Sequence, residues 1–189
     1  TMLAQIYSSQ GKTEHAINSY KKALKIKPDC AETHYNMGNA LKHKGNFEAA
    51  IESYHQALRI KPDYADAYNN MGSALNSRGD IDGAIQSYKQ ALGIKPDYAN
   101  TYYNMGNALM NRGDLNSALE SYKKGLKTKP DCAEAHNNIG IALKDMGNLE
   151  AAIKSYKKAL KIKPDFAEAY NNMGSALNAK GDIDGAIQS

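Results

Sequence analysis

Apolar residues recur with helical spacing in two consecutive segments between positions 63 and 96. In the first segment they stand at Tyr68, Met71, Gly72 and Leu75. The spacing i, i+3, i+4, i+7 lies on one face of an α-helix. In the second segment the apolar positions are Ile81, Ala84, Ile85, Tyr88, Ala91 and Leu92. Gly79 separates the two segments and Pro96 follows the second, so the pattern predicts a pair of helices with defined ends.

This two-helix pattern returns every 34 residues along the chain. The prolines mark the period at Pro28, Pro62, Pro96, Pro130 and Pro164. A repeat of this length that contains two helices is typical of a helical solenoid, because one helix pair has too little core to fold alone and stacked pairs share one. The sequence therefore predicts an all-α solenoid of antiparallel helix pairs.

The period divides the chain into four full repeats, flanked by partial repeats at residues 1–30 and 167–189. The full repeats are expected at residues 31–64, 65–98, 99–132 and 133–166. Residues 67–87 return at 169–189 with two differences in 21 positions, at an offset of 102 residues. We interpret this as duplication of a three-repeat block. We expect a fragment of a longer array, whose first residues lie in a first helix and whose last residues lie in a second helix. End-to-end self-association through these uncapped repeats is a further expectation.

Polar residues at the helix ends predict how the helices start. An aspartate follows each proline, and Asp63 with Asp66 three residues later resembles a capping box, so Asp63 is expected to be the N-cap of the first helix. Asp80 is expected to cap the second helix. A glycine recurs inside each first helix, as at Gly72, although glycine costs about 0.8–1 kcal/mol relative to alanine there. This recurrence predicts close helix packing.

A second stripe on each first helix is rich in asparagine. Its central row is Asn36, Asn70, Asn104, Asn138 and Asn172. The preceding positions hold Tyr35, Asn69, Tyr103, Asn137 and Asn171, and one turn later two repeats carry Asn39 and Asn107. A carboxamide has one acceptor and two donors, which suits pairing with a peptide group. Because packed helices lie about 8–10 Å apart and a strand rises about 3.3 Å per residue, one asparagine would meet every third peptide residue. The alternative is that these amides bond across neighbouring helices and stiffen the array.

The repeat closely resembles the tetratricopeptide repeat (TPR) family. The residues that carry the resemblance in one repeat are Tyr68, Met71, Gly72, Leu75, Ala84, Tyr88, Ala91 and Pro96. Minor departures are His34 and His136 in the first slot, Gly125 in place of the later alanine, and the lack of tryptophan. The resemblance implies a right-handed superhelix whose first helices line a concave groove. It therefore places the asparagine stripe in that groove, where it is similar to the asparagine rows of O-linked N-acetylglucosamine transferases.

Composition and charge exclude several kinds of function. The net charge of +4 over 189 residues does not indicate a nucleic-acid-binding or membrane-binding surface. The lysines concentrate on second helices, where we expect mostly a solvated outer face, with an acidic partner or nucleic acid as the alternative. The two cysteines occupy equivalent repeat positions and are interpreted as packing residues; a reducing compartment, the cytoplasm, is favoured. No metal-ligand spacing or phosphate-binding glycine loop is present, so we expect no cofactor and no catalysis.

The predicted function is a non-catalytic scaffold that binds an extended peptide or protein segment through the asparagine stripe. Members of the family that hold chaperone tails use lysine and arginine to clamp carboxylates. This chain has Glu32, Asp66, Asn100, Glu134 and Glu168 at the early clamp positions, so that function is not expected. Two alternatives are a substrate-recruiting arm of a larger enzyme, such as a glycosyltransferase, and a self-associating assembly scaffold.

Overall fold

The structure is a computed structural model that describes residues 13–181, and this part of the chain contains ten α-helices and no strand. We number them α1 (Thr13–Ile26), α2 (Ala31–His43), α3 (Phe47–Ile60), α4 (Ala65–Arg78), α5 (Ile81–Ile94), α6 (Ala99–Asn111), α7 (Leu115–Thr128), α8 (Ala133–Asp145), α9 (Leu149–Ile162) and α10 (Ala167–Lys180). The helices predicted at the two ends of the chain, and with them the predicted end-to-end contact, lie outside the described residues.

The chain divides into two compact units, Thr1–Pro96 and Asp97–Ser189, which we call the N-terminal and C-terminal units. In the N-terminal unit each helix from α1 to α5 packs against the next, and α2 also contacts α4. In the C-terminal unit the same holds from α6 to α10, with further contacts between α6 and α8 and between α8 and α10. First helices of successive repeats therefore touch inside each unit. This packing confirms the all-α solenoid.

The core of each helix pair is built from a buried tyrosine on the second helix and the recurrent glycine on the first. Tyr54, Tyr88, Tyr122 and Tyr156 are each at most 2% exposed. A Cβ added to Gly38 or Gly72 would lie 2.7 Å from the ring of Tyr54 or Tyr88, respectively, which is too close for any side chain. The predicted need for close packing is confirmed, and the tyrosine ring is its cause.

The starts of the second helices α3, α5, α7 and α9 agree with the prediction. The side chain of Asp80 accepts a hydrogen bond from the backbone N–H of Gly83 at 3.0 Å. Asn46, Asp114 and Asn148 cap α3, α7 and α9 in the same way. The preceding helix ends at Gly79, whose φ of +93° lies in the left-handed region that favours glycine.

The predicted N-caps of the first helices are wrong. The N-cap of α4 is Tyr64, one residue after Asp63, and its side chain makes no capping hydrogen bond. Cys30, Tyr98, Cys132 and Phe166 hold the same position in the other first helices, also without a side-chain cap. The position is used for packing instead, since the Tyr64 ring lies 4.8 Å from the Tyr35 ring. Asp63 therefore lies one residue before the N-cap.

Candidate functional site

The asparagine row lies at one position on five first helices. Each member is the sixth residue of its helix and is half-buried: Asn36 on α2, Asn70 on α4, Asn104 on α6, Asn138 on α8 and Asn172 on α10. Their neighbours differ in exposure. Tyr35 and Tyr103 are half-buried, Asn69 and Asn137 are buried at 7% and 1%, and Asn171 is exposed. The row is therefore not uniformly open to solvent.

Within the N-terminal unit, Asn70 connects two first helices. Its Nδ2 donates to the Tyr35 hydroxyl at 3.0 Å and to Asn39 Oδ1 at 2.9 Å, both on α2. Its Oδ1 accepts from Asn69 Nδ2 at 3.0 Å. Both donors of the Asn70 carboxamide are therefore used inside the protein, and one acceptor position is occupied as well.

The C-terminal unit repeats this arrangement between its own first helices. Asn138 Nδ2 donates to Asn107 Oδ1 at 2.9 Å, and Asn172 Nδ2 donates to Asn137 Oδ1 at 3.0 Å. Asn137 Nδ2 in turn donates to the Glu168 carboxylate at 3.1 Å. In both units, each of these bonds between asparagines of neighbouring first helices runs from the later helix to the earlier one. Much of this hydrogen-bond network therefore fits the alternative in which the amides bond across neighbouring helices and stiffen the array.

Asn39 and Asn107 differ from the central row. Asn39 Oδ1 accepts two hydrogen bonds, one from Asn70 and one from the Tyr54 hydroxyl at 2.8 Å. Asn107 Oδ1 likewise accepts from Asn138 and from the Tyr122 hydroxyl at 2.6 Å. Because the oxygen of each amide is held by two donors, the Nδ2 group is turned the other way. Neither Nδ2 group has a hydrogen-bond partner among residues 13–181.

The two tyrosines predicted beside the row make contacts of their own. Tyr35 packs against Tyr64 and, with ring centroids 6.1 Å apart, against Tyr54. The Tyr103 hydroxyl donates to the backbone carbonyl of Lys129 at 2.5 Å, and its ring lies against Gly125. Burial raises the pKa of Tyr103 to about 12, so its hydroxyl stays a donor at neutral pH. The lack of a side chain at Gly125, a departure from the family pattern, makes room for this ring.

Sequence reasoning missed the link between the buried tyrosines and the asparagine stripe. The signal was present as a spacing of 15 residues from Asn39 to Tyr54 and from Asn107 to Tyr122. The equivalent position before Tyr156 is Ile141. The Tyr156 hydroxyl is accordingly buried with no hydrogen-bond partner in the described part of the chain. Burial, with a smaller contribution from Asp145, raises the pKa of Tyr156 to about 12.

No cluster of three or more histidine, cysteine or acidic side chains suited to a metal ion occurs between residues 13 and 181. Within the same range, no helix combines the length and the apolar character needed to cross a membrane. Cys30 and Cys132 are free thiols. His34 is half-buried, and its Nε2 lies 3.0 Å from the Pro28 carbonyl oxygen.

Comparison with known proteins agrees with the helical geometry. The family profile described as TPR repeat matches five overlapping segments, at residues 4–45, 38–76, 72–113, 106–147 and 142–181. No curated protein sequence matches the chain significantly.

Solved structures show the same fold. The crystal structure of MamA is 30% identical with a TM-score of 0.81, and the match covers 87% of this chain and 96% of MamA. YrrB, described as a TPR protein with an unusual peptide-binding site, is 26% identical with a TM-score of 0.75, over 94% of this chain and 88% of YrrB. PilF of Pseudomonas aeruginosa shares the fold at 21% identity, with a TM-score of 0.86 over 99% and 85% of the two chains. The chain belongs to the tetratricopeptide repeat family.

Proposed function

We propose that this chain, which its TPR repeats mark as a protein-interaction scaffold, binds an extended peptide along its first helices. The amide donors of Asn39 and Asn107 would hold carbonyl groups of the peptide backbone. The binding is non-catalytic, because the stripe supplies hydrogen-bonding amides and no paired acid and base. The central row, with Asn36, Asn104 and Asn172, would extend the same surface along each unit.

The observation that carries this proposal is the orientation of the Asn39 and Asn107 amides. Each oxygen is occupied twice from inside the protein, so each Nδ2 group retains two N–H donors for a ligand. Asn107 is exposed and Asn39 is half-buried, which leaves both accessible. A peptide carbonyl is the complementary partner, since it is a strong acceptor that every residue carries.

The other asparagines have supporting roles in this proposal. Asn70 and Asn138 position Asn39 and Asn107 by donating to their oxygens. Asn69 is buried and bonds to Asn70, so it holds the support in place and does not contact the peptide. The printed description of YrrB as a peptide-binding TPR protein supports the same kind of ligand for this chain.

Magnitudes show that these donors alone give weak binding. The two N–H groups of one unit, at about 0.5–1.5 kcal/mol each, contribute about 1–3 kcal/mol. Association costs about 4–15 kcal/mol in lost translational and rotational freedom. Measurable affinity therefore requires side-chain contacts, for instance with Tyr35 or Tyr103, or the use of many repeats at once. We expect a micromolar or weaker complex from the amides of one unit.

The test uses asparagine-to-aspartate substitution, because it removes the free donors and keeps an acceptor oxygen; the negative charge that it adds is matched in the control. Asn39→Asp/Asn107→Asp retains the oxygen that accepts from Tyr54 or Tyr122. Peptides selected by display against the unmodified chain are labelled and titrated against both proteins by fluorescence anisotropy. We expect the selected peptides to bind the double variant about tenfold more weakly or worse, as two or more backbone hydrogen bonds are lost.

The control is Asn18→Asp/Asn116→Asp, which makes the same charge change at exposed positions of the second helices α1 and α7. This protein is expected to bind the peptides within twofold of the unmodified chain. Selection that yields no saturable peptide, or equal weakening in both variants, would contradict the proposal. If the chain recruits a substrate to a larger enzyme, it would use the same contacts. If it is a self-associating scaffold, light scattering would show a mass that rises with protein concentration.

A further inference from the structure

The C-terminal unit contains a cleft that lies outside the asparagine stripe. It is formed by the last turns of α7 and α9 and by the segment that leads into α8, and its volume is about 500 Å³. Its apolar surface comes from Leu126, Pro130 and Ile162. A volume in this range accommodates a small organic group, since ligand pockets usually measure about 300–1,000 Å³.

Four lysines surround this cleft. They are Lys123 and Lys127 on α7 and Lys158 and Lys161 on α9. None of the four forms an ion pair with any residue in the described part of the chain. Neighbouring lysines do: Lys124 pairs with Glu120 at 2.7 Å and Lys163 with Glu134 at 3.7 Å. The cations of the cleft are therefore concentrated and unneutralised.

Two further polar groups complete the lining. Asp131 is the single carboxylate there, so four ammonium groups face one negative charge. His136 lies half-buried on α8, where burial and the nearby Lys158 lower its pKa, while the Pro130 carbonyl and Asp131 act in the opposite direction. Its ring adds a flat, polarisable surface beside the apolar residues. The cleft thus combines an excess of positive charge with an apolar surface.

We propose that this cleft binds a phosphomonoester carried on a small apolar or aromatic group. A dianionic phosphate would lie among the four lysines, each of which supplies a charge-assisted donor. The organic group would lie against Leu126, Ile162 and the His136 ring. Two sources carry this chemistry, namely a phosphorylated side chain of a protein segment and a free nucleotide. Both match the excess positive charge and the apolar residues of the cleft.

The N-terminal unit provides a natural comparison. Its equivalent cleft, lined by Pro28, Asp29, His34, Gln56, Arg59 and Ile60, has a volume of about 490 Å³. Here Gln56 replaces Lys158, and Arg59 is the one cation in the lining, opposite the carboxylate of Asp29. The Arg59 guanidinium also donates to Gln56 Oε1 at 3.3 Å. Lys21 and Lys25 stand at the repeat positions of Lys123 and Lys127 but are not part of this lining, so we expect this cleft to bind a phosphomonoester more weakly.

The test is a titration of the whole chain followed by two-dimensional ¹H–¹⁵N NMR. The probes are O-phosphotyrosine, a phosphotyrosine-containing heptapeptide, adenosine monophosphate and inorganic phosphate, with tyrosine as the uncharged control. We expect saturable shifts at His136 and its neighbours for the organic phosphates, and no comparable shifts at His34. Inorganic phosphate should bind more weakly, because it has no apolar part. The relative affinities of phosphopeptide and nucleotide identify the source.

The variant Lys158→Gln/Lys161→Gln removes two cations from the lining. Its matched control is Lys154→Gln/Lys157→Gln, which makes the same charge change at exposed positions of the same helix. We expect the dissociation constant for O-phosphotyrosine to rise about tenfold or more in the first variant and by less than twofold in the control. Circular dichroism confirms that both variants are folded.

Three results would overturn the proposal. The first is the lack of any saturable shift at His136 with organic phosphates at 10 mM. The second is equal weakening in both variants, which would mean that the probes respond only to overall charge. The third is binding of anionic phospholipid vesicles or RNA that depends on Lys158 and Lys161 while the phosphomonoesters do not bind. The asparagine stripe is not involved in any of these measurements.

Discussion

Gly72 of α4 lies directly against the ring of Tyr88 on α5, so that a Cβ at position 72 would be 2.7 Å from the ring carbon Cε1. Tyr88 is 2% exposed, so its ring is enclosed by the protein. The same contact joins Gly38 to Tyr54 and Gly106 to Tyr122. The glycine and the tyrosine of each helix pair therefore form one packing unit, and the helix tolerates the glycine because the ring occupies its space.

Gly72→Ala is predicted to destabilise the protein. The overpacking costs about 1–3 kcal/mol. The better helix propensity of alanine offsets about 0.8–1 kcal/mol of this. Gly93→Ala is the control, because Gly93 also lies in a helix but has no atom within 4 Å of the added Cβ. We expect urea unfolding followed by circular dichroism to show a lower midpoint for Gly72→Ala and an equal or higher midpoint for Gly93→Ala. A higher unfolding midpoint in both variants would mean that the Tyr88 ring moves aside at little energetic cost.

The buried tyrosines are predicted to respond differently to loss of their hydroxyl. Tyr122→Phe removes the 2.6 Å hydrogen bond to Asn107 and should cost about 0.5–1.5 kcal/mol. Tyr156→Phe removes a buried hydroxyl with no partner among the described residues, so stability should stay constant or increase. The free energies of unfolding of the two variants, measured under identical conditions, test this difference. Equal losses would contradict the role assigned to Ile141.

Substitution of Asp80 and of Asp63 compares an aspartate that caps a helix with one that does not. Asp80→Ala removes the hydrogen bond to the Gly83 N–H and should cost about 1 kcal/mol. Asp63→Ala makes the same charge change at a residue that is not a cap and should alter stability by less than about 0.5 kcal/mol. Thermal unfolding of the two variants distinguishes them. A loss of stability in Asp63→Ala as large as that in Asp80→Ala would show that Asp63 caps its helix, as the sequence suggested.

His136 is predicted to make stability dependent on pH. Its pKa is lowered in the folded protein, chiefly by burial and then by Lys158, from an ordinary value of 6.5. Below about pH 6.5 the unfolded chain therefore binds more protons than the folded one, and the folded state loses stability as the pH falls towards the lowered pKa. We expect this loss between pH 7 and 5.5 in denaturant titrations.

The substitution that tests this is His136→Tyr, because tyrosine occupies the equivalent position in other repeats, as at Tyr68. The variant should lose part of the pH dependence between pH 7 and 5.5. His55→Gln removes an exposed histidine of α3 and should keep the full dependence. An unchanged profile in His136→Tyr would show that other groups titrate in this range.

The prediction of the fold depended on interactions between residues close in sequence. The helix pairs follow from the apolar spacing within each 34-residue period, and their breaks follow from Gly79 and Pro96. The cap at Asp80 was predicted because its partner is three residues away. The cap at Asp63 was predicted wrongly, since Tyr64 packs against Tyr35, which is 29 residues earlier and cannot be recognised as a neighbour from local sequence.

For the candidate site, the sequence determined where the asparagines stand but not how their amides are used. Positions such as Asn39 and Asn70 follow directly from the period. The direction in which an amide points depends on which donors reach its oxygen, and for Asn39 these come from Tyr54 and Asn70 on two other helices. The cleft beside His136 likewise needs lysines 35 residues apart, such as Lys123 and Lys158, to meet at one place.

By itself, then, the sequence determined the order of the helices and the caps of the second helices, because hydrogen bonds and caps within one helix involve only near neighbours. The tertiary structure alone decided which buried hydroxyl has a partner, which amide donors stay unpaired among the described residues and which cations share a cleft. These properties depend on distances of about 3 Å between side chains of different helices, and only the packing of those helices sets such distances.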